Sequence, residues 1–502
     1  MDFGWSKLVP LLVLLASLLF LHIKSPPKLH HSECSLLPYH HYWITSKRII
    51  TPQGVISGAV EVREGNIASV VKEEDWLGNV RRGQVVDFGE AVIMPGLIDV
   101  HAHLDDPGRA EWEGFPSGTK AAAAGGITTL IDMPLNCFPS TVSKEALKLK
   151  IAAAEDKIHV DVGFWGGLVP ENAFNASALE DLLDAGVLGL KDSVAPPPKE
   201  MHAACNNTHE GLAALARYKR PLLVHAEIQL ESENYLELRY GSDEARLYSS
   251  YLTTRPPSWE EAAIRELLTV TSDTRPGGPA EGAHLHIVHL ADASSSLDLI
   301  KGAKIHGDSI TVETCPHYLA FSAEEIQDGD TRFKCAPPIR DIANREKLWE
   351  ALLEGHIDLL SSDHSPTVPE LKLFDDGDFL RAWGGISSLQ FVLPVTWSYG
   401  RKYGVTLEHL VSWWSERPAK LAGQELKGAI AIGKHADVVV WDPDVEFDLA
   451  ADHLVYHKHP SISAYIGKRL SGKVLATFVR GNLVYEEGKH APAACGVPIL
   501  AR

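Results

Sequence analysis

The chain has 502 residues, of which 45% are hydrophobic and 23% charged, enough to bury a large core and too many for one small domain. A formal net charge of −19 is the opposite of the basic footprint that a polyanion binder needs. Nucleic acid is therefore excluded as an expected partner, whereas a small, nearly neutral substrate is not. The six cysteines, Cys34, Cys137, Cys205, Cys315, Cys335 and Cys495, show no C-x-x-C spacing. That argues against both a disulfide framework and a structural zinc site; most read as buried thiols, with one or two bridges left open.

Residues 8–21 form an apolar run preceded by Lys7 and followed by Lys24 and Pro26-Pro27. The run is shorter than the roughly 20 residues of a membrane span and suits a targeting segment. Residues 1–25 are read as a secretory signal or signal-anchor, which places the protein in the endoplasmic reticulum or secretory pathway. Membrane contact is expected only through this segment, if it stays uncleaved. The sequons Asn175-Ala-Ser177 and Asn206-Asn-Thr208 fit that compartment as glycosylation sites at Asn175 and Asn206. Residues 26–42, rich in Pro, Ser and His, read as a linker. His30, His31, His40 and His41 are taken as solvated, because nothing nearby fixes their geometry.

From 43 to 93 the pattern is short strands and turns, as in Gly58-Ala-Val-Glu-Val62. The same texture returns at 427–490, in Ala436-Asp-Val-Val-Val-Trp441 and in Ala476-Thr-Phe-Val-Arg480 before the Gly481-Asn482 turn. The two ends are expected to pair into one small β-domain, leaving 491–502 as a tail. Between them, over 94–426, apolar strands such as Ile127-Thr-Thr-Leu-Ile131 alternate with helical stretches at 144–158 and 259–270. Doubly buried strands alternating with helices indicate a parallel α/β fold, and over this length a (β/α)8 TIM-like barrel.

Chemistry is concentrated at strand ends. Ile98-Asp-Val-His101-Ala-His103 carries two histidines at i and i+2, on one face of a strand. Leu222-Leu-Val-His225 and Leu285-His-Ile-Val-His289 also end in histidine, and Ile357-Asp-Leu-Leu-Ser-Ser-Asp363 ends in a carboxylate. Alternation puts His289 in phase with Leu285 and Ile287, and turns His284 and His286 toward the helical layer. One buried histidine is usually a satisfied core group. Four strand ends delivering His or Asp to the C-terminal rim of a barrel point instead to a metal. Val187-Leu-Gly-Leu-Lys191 supplies a fifth. A lysine with a neutral amine population can take up CO2, and the carbamate would give two cations a bridging anion. Two zinc-like ions acidify water and polarise a carbonyl, with Asp363 as general base and then acid. N/O ligands rich in histidine suit zinc without excluding other metals.

These residues sit in recognisable motifs. Pro95-Gly-Leu-Ile-Asp-Val-His101-Ala-His103 resembles the cyclic amidohydrolase branch of the amidohydrolase superfamily, which holds dihydroorotases, hydantoinases or dihydropyrimidinases, and allantoinases. Leu104-Asp-Asp-Pro-Gly-Arg109-Ala-Glu-Trp-Glu-Gly-Phe115, Glu313-Thr-Cys-Pro-His317-Tyr318-Leu, Phe333-Lys-Cys-Ala-Pro-Pro-Ile-Arg340, Ser361-Ser-Asp363-His-Ser-Pro366 and Trp383-Gly-Gly-Ile-Ser-Ser-Leu389 resemble the plant-type allantoinase version. The resemblance runs from about residue 43 to the C-terminus. It implies two divalent ions, Zn2+ in the first instance. His101, His103 and Asp363 would hold the more buried ion, His225 and His289 the second, and carbamylated Lys191 (N6-carboxylysine) would bridge them. It further implies that the β-domain of both chain ends is a small β-sandwich beside the barrel, substrate contacts at Arg109, Cys315, Ala336 and Gly385, a homotetramer, and hydrolysis of (S)-allantoin to allantoate in purine catabolism.

One stretch departs from the pattern. Lys191 is followed by Asp192-Ser-Val-Ala-Pro-Pro-Pro198, where allantoinases continue with Ser-Phe and small residues; it bears on the substrate pocket. A hydantoinase-type enzyme is the alternative within the branch, and a non-catalytic assembly protein on the same fold is the alternative outside it. Such assembly proteins typically lose ligands, and all six positions are present here.

Overall fold

The computed structural model describes residues 31–76, 84–194, 201–230, 243–450 and 453–501. The targeting segment, the prolines after Lys191 and the side chain of Asn206 lie outside them. Among the described residues no helix is long and apolar enough to cross a membrane.

The chain opens with β1 (His41–Thr51), β2 (Gly54–Arg63), β3 (Asn66–Lys72), β4 (Gln84–Asp87) and β5 (Val92–Pro95). It closes with β15 (Val438–Asp448), β16 (Arg469–Val479), β17 (Asn482–Glu486) and β18 (Lys489–His490). All nine share one sheet, in the order β18-β17-β16-β15-β5-β1-β2-β3, with β4 beside β1. The seam between the chain ends is the antiparallel pair β5–β15, which sets Met94 opposite Val439 and Val92 opposite Trp441. Alternation along these strands gathers Ile44, Val60, Ile93, Val438 and Phe478 into a separate apolar core.

The barrel has eight parallel staves. They are β6 (Leu97–Ala102), β7 (Ile127–Asp132), a strand interrupted at Trp165 into β8 (Asp161–Phe164) and β9 (Gly166–Gly167), then β10 (Leu190–Val194), β11 (Pro221–Ala226), β12 (His284–Ile287), β13 (Ile310–Thr314) and β14 (Leu359–Leu360). Closure comes from just past β14, where His364 bridges to Ala102 and its carbonyl accepts the amide of His103 at 2.7 Å. Helices such as Phe115–Ala124, Pro257–Thr271 and Ser295–Ile305 lie between successive strands. Their buried faces, including Phe115, Leu267 and Ile300, join the outward apolar residues of the staves in the main core.

The tail carries more order than its composition suggests. β19 (Pro498–Ile499) pairs parallel with β8, and Ile499 and Ala501 pack on the barrel-interior cluster of Ile98, Ile131, Trp165 and Leu188. A disulfide from Cys34 to Cys495, 461 residues apart in sequence, ties this tail to the start of the fold. Cys137, Cys315 and Cys335 are buried free thiols.

Candidate metal centre

Each strand end delivers its side chain to one rim. His101, near the end of β6, points Nε2 at Asp363 Oδ1 (3.1 Å), and His103 Nε2 lies 3.7 Å from the same oxygen. From the neighbouring staves, His225 Nδ1 and His289 Nε2 stand 2.8 Å apart, and the His101 and His289 ring centroids are separated by 5.3 Å. Among the described residues, His101, His289 and Asp363 form a cluster whose ligand atoms all lie within 4.8 Å of one another. His289 and Asp363 adopt φ of +40° and +41°. Left-handed backbone at non-glycine positions is uncommon and clusters at functional sites. Lys191, on β10 between β9 and β11, is buried, and its Nζ donates to the carbonyl of Asp192 at 2.8 Å.

The electrostatics ask for a cation. Burial opposes charge on Asp363, but His101, His289 and His103 outweigh it and hold the carboxyl far below its ordinary range. Burial likewise opposes protonation of His101, yet Asp363 and Glu313 raise it to about 9. Burial pushes His103 down to about 3 and His289 well below the usual histidine range, with His225 lowered too. These three present lone pairs rather than protons. Two ring nitrogens facing each other at 2.8 Å, with His289 Nδ1 buried and unpartnered, are the donor geometry of a metal site. Burial lowers the Lys191 amine to about 8, leaving a neutral, nucleophilic fraction at neutral pH.

Carboxylates behind the histidines fix their tautomers. Glu313 on β13 accepts from His101 Nδ1 at 2.7 Å and from His286 Nε2 at 3.0 Å, and Glu227 accepts from His225 Nε2 at 2.8 Å. Arg255 in turn holds Glu227 at 2.5 Å. Neither glutamate has a role in the sequence reading, although both stand out as charges on strand ends. The structure reverses the phase expected for β12. Leu285 and Ile287 belong to the apolar layer beneath the helices, while His286 reaches inward to Glu313. His289 lies beyond the strand end, where alternation no longer applies.

Of the residues implied for substrate, Arg109 lies 4.7 Å over the Trp112 ring and donates to the Asn136 carbonyl at 3.1 Å. The Asn136 amide stands 3.4 Å from His103 Nδ1, so Arg109 connects to the metal cluster through one residue. Trp112 meets Trp383 edge-on at 4.9 Å. Gly385, at φ +133°, is packed against the Ser365 carbonyl and donates its amide to the Lys334 carbonyl at 2.7 Å. Cys315 is fully buried, its Sγ 3.7 Å from Ser361 Oγ, and burial keeps its thiol protonated. Ala336 precedes the cis peptide to Pro337. Asn175 is exposed and caps the helix Ala176–Asp184 through a 3.2 Å bond from Ala178 N.

The comparisons with known proteins agree with one another. Residues 92–484 match the amidohydrolase family and residues 37–91 the allantoinase composite domain. The allantoinase of Arabidopsis thaliana is 70% identical over 500 residues, covering 99% of this chain and 98% of that protein. A probable allantoinase of Oryza sativa subsp. japonica is 61% identical over 504 residues, covering 99% of each. Among solved structures, the L-hydantoinase (dihydropyrimidinase) of Arthrobacter aurescens superposes with a TM-score of 0.81 at 27% identity, covering 92% of this chain and 100% of that one. The chain belongs to the amidohydrolase family and, within it, to the plant-type allantoinases.

Proposed function

We propose that the protein hydrolyses the ring amide of allantoin to give allantoate. The likeness to allantoinases over essentially the whole chain carries this reading, and the buried His/Asp cluster supplies its chemistry. His101, His103 and Asp363 would hold one divalent ion, His225 and His289 a second, and a carbamate on Lys191 would bridge them. Zinc fits the nitrogen-rich donor set. Such ions polarise the carbonyl under attack and acidify water. Asp363, left-handed in backbone and ringed by imidazoles, takes the proton of the attacking water and passes it to the ring nitrogen as the C–N bond breaks. Arg109, stacked on Trp112, offers its guanidinium fork to the substrate's carbonyl groups.

The apolar leader and the Cys34–Cys495 bridge both support a secretory, oxidising compartment, and we extend the proposal to that location and to a homotetramer. The direct test is turnover of allantoin against hydantoin and dihydrouracil by zinc-reconstituted protein. Preference for allantoin is the expected result. Turnover of the other rings alone would move the assignment to the hydantoinase branch. Absence of both bound metal and turnover of any ring would favour an assembly protein.

A further inference from the structure

Behind His101 lies a hydrogen-bonded column that the catalytic reading leaves unused. Ser309 Oγ is 2.9 Å from His284 Nδ1, His284 Nε2 is 2.6 Å from Thr311 Oγ1, and Thr311 Oγ1 is 2.8 Å from His286 Nδ1. His286 Nε2 is 3.0 Å from Glu313 Oε2, and Glu313 Oε1 is 2.7 Å from His101 Nδ1. His286 and Glu313 are completely buried, and the column joins His284 and His286 of β12 to Thr311 and Glu313 of the adjacent stave β13, with Ser309 just ahead of that strand.

The donors can be assigned by counting. A neutral imidazole has one N–H and one lone pair, a hydroxyl has one proton, and a carboxylate only accepts. Glu313 therefore takes protons from both His101 Nδ1 and His286 Nε2. The lone pair left on His286 Nδ1 accepts the Thr311 hydroxyl proton, so Thr311 must accept from His284 Nε2–H. His284 Nδ1 then accepts from Ser309. Every bond runs toward Glu313, and one arrangement satisfies all the groups. The same carboxylate receives the backbone N–H of His289 at 3.4 Å, so it touches residues assigned to both ions.

We infer that His286, braced by Thr311 and His284, is a positioning residue that fixes the Glu313 carboxylate and so presents the His101 Nε2 lone pair to the metal centre. The inference rests on the metal reading above. Removing the His286 donor frees one Glu313 oxygen to turn, and His101 loses its fixed tautomer. Partners of this kind typically alter metal affinity about 10- to 100-fold.

The test is a cobalt(II) titration of metal-stripped full-length protein, followed by visible absorption, with a thermal melt of each variant. H286L, which lacks a donor to Glu313, and T311V, which leaves the buried His286 Nδ1 lone pair without its donor and so loosens the ring, are expected to weaken cobalt binding at least tenfold and to change the absorption band. H286Q, whose amide N–H falls where imidazole Nε2 stood, and T311S are expected to bind within about twofold of the parent. Should H286L fail to fold, the near-isosteric T311V carries the same comparison against T311S. Parent-like cobalt binding by T311V or by folded H286L would overturn the column and leave the metal centre standing. Absence of cobalt binding by the parent would overturn the metal reading, and the column with it.

Discussion

His101, His103, His225, His289 and Asp363 are legible in the sequence because each ends an apolar strand, and that position needs no knowledge of the partner. Glu313 and Glu227 are not legible in this way. A buried carboxylate declares its role only through what faces it, and Glu313 meets a histidine 212 positions away. Strand alternation from His289 turns His286 the wrong way, because the two-residue period ends with β12 and His289 lies beyond it at φ +40°. Two predictions belong at this scale. Asp363→Asn is expected to lower kcat about 10²- to 10⁴-fold, the usual worth of a positioned acid–base group, with a smaller change in KM in steady-state kinetics. His225→Ala is expected to lose one of two zinc ions per chain by elemental analysis while His101, His103 and Asp363 keep the other.

The barrel and the sandwich were legible as elements because each has its own period: apolar strands alternating with helices in one, strand–turn texture in the other. The tail was not. Residues 491–500 read Ala-Pro-Ala-Ala-Cys-Gly-Val-Pro-Ile-Leu, with no strand pattern, and the edge of β8 decides their conformation. Asp161 on β8 is the hub of that junction. It accepts from Lys427 at 2.8 Å, from Arg480 at 3.1 Å and from the Val497 amide at 3.0 Å, joining barrel, sandwich and tail. Burial alone would raise its carboxyl, but Lys427 and Arg480 outweigh burial and hold it below its ordinary range. A depressed carboxyl contributes stability that is full above the unfolded value, about 3.9, and is lost as pH falls through the folded value. Asp161→Asn is expected to cost about 1.5–3 kcal/mol near neutrality, the worth of a charge-assisted hydrogen bond, because Lys427 and Arg480 lose this carboxylate while Lys427 keeps Asp437 at 2.6 Å. In urea melts, the gap from the parent should narrow only below about pH 4. A constant gap down to pH 3 would show that the charge is not the source.

At the scale of the whole molecule, the two chain ends hold each other. β5 and β15 form the seam, and Cys34–Cys495 closes nearly the entire chain into one loop. Pairing of cysteines so far apart cannot be read from spacing, which is why the sequence left the bridges open. Cys34→Ser is expected to lower stability by roughly 2–4 kcal/mol in denaturant melts, with little effect on allantoin turnover, because the bridge lies at the chain ends and not at the metal rim. A large loss of turnover in a folded Cys34→Ser protein would mean that the tail shapes the site.

Turnover by this protein depends on the metal centre, and the most direct test is the activity of chelator-stripped protein titrated with zinc. Stripped protein is predicted to be inactive on allantoin, and turnover is predicted to rise with added zinc and saturate near two ions per chain. Undiminished turnover by protein shown to contain no metal would contradict that dependence.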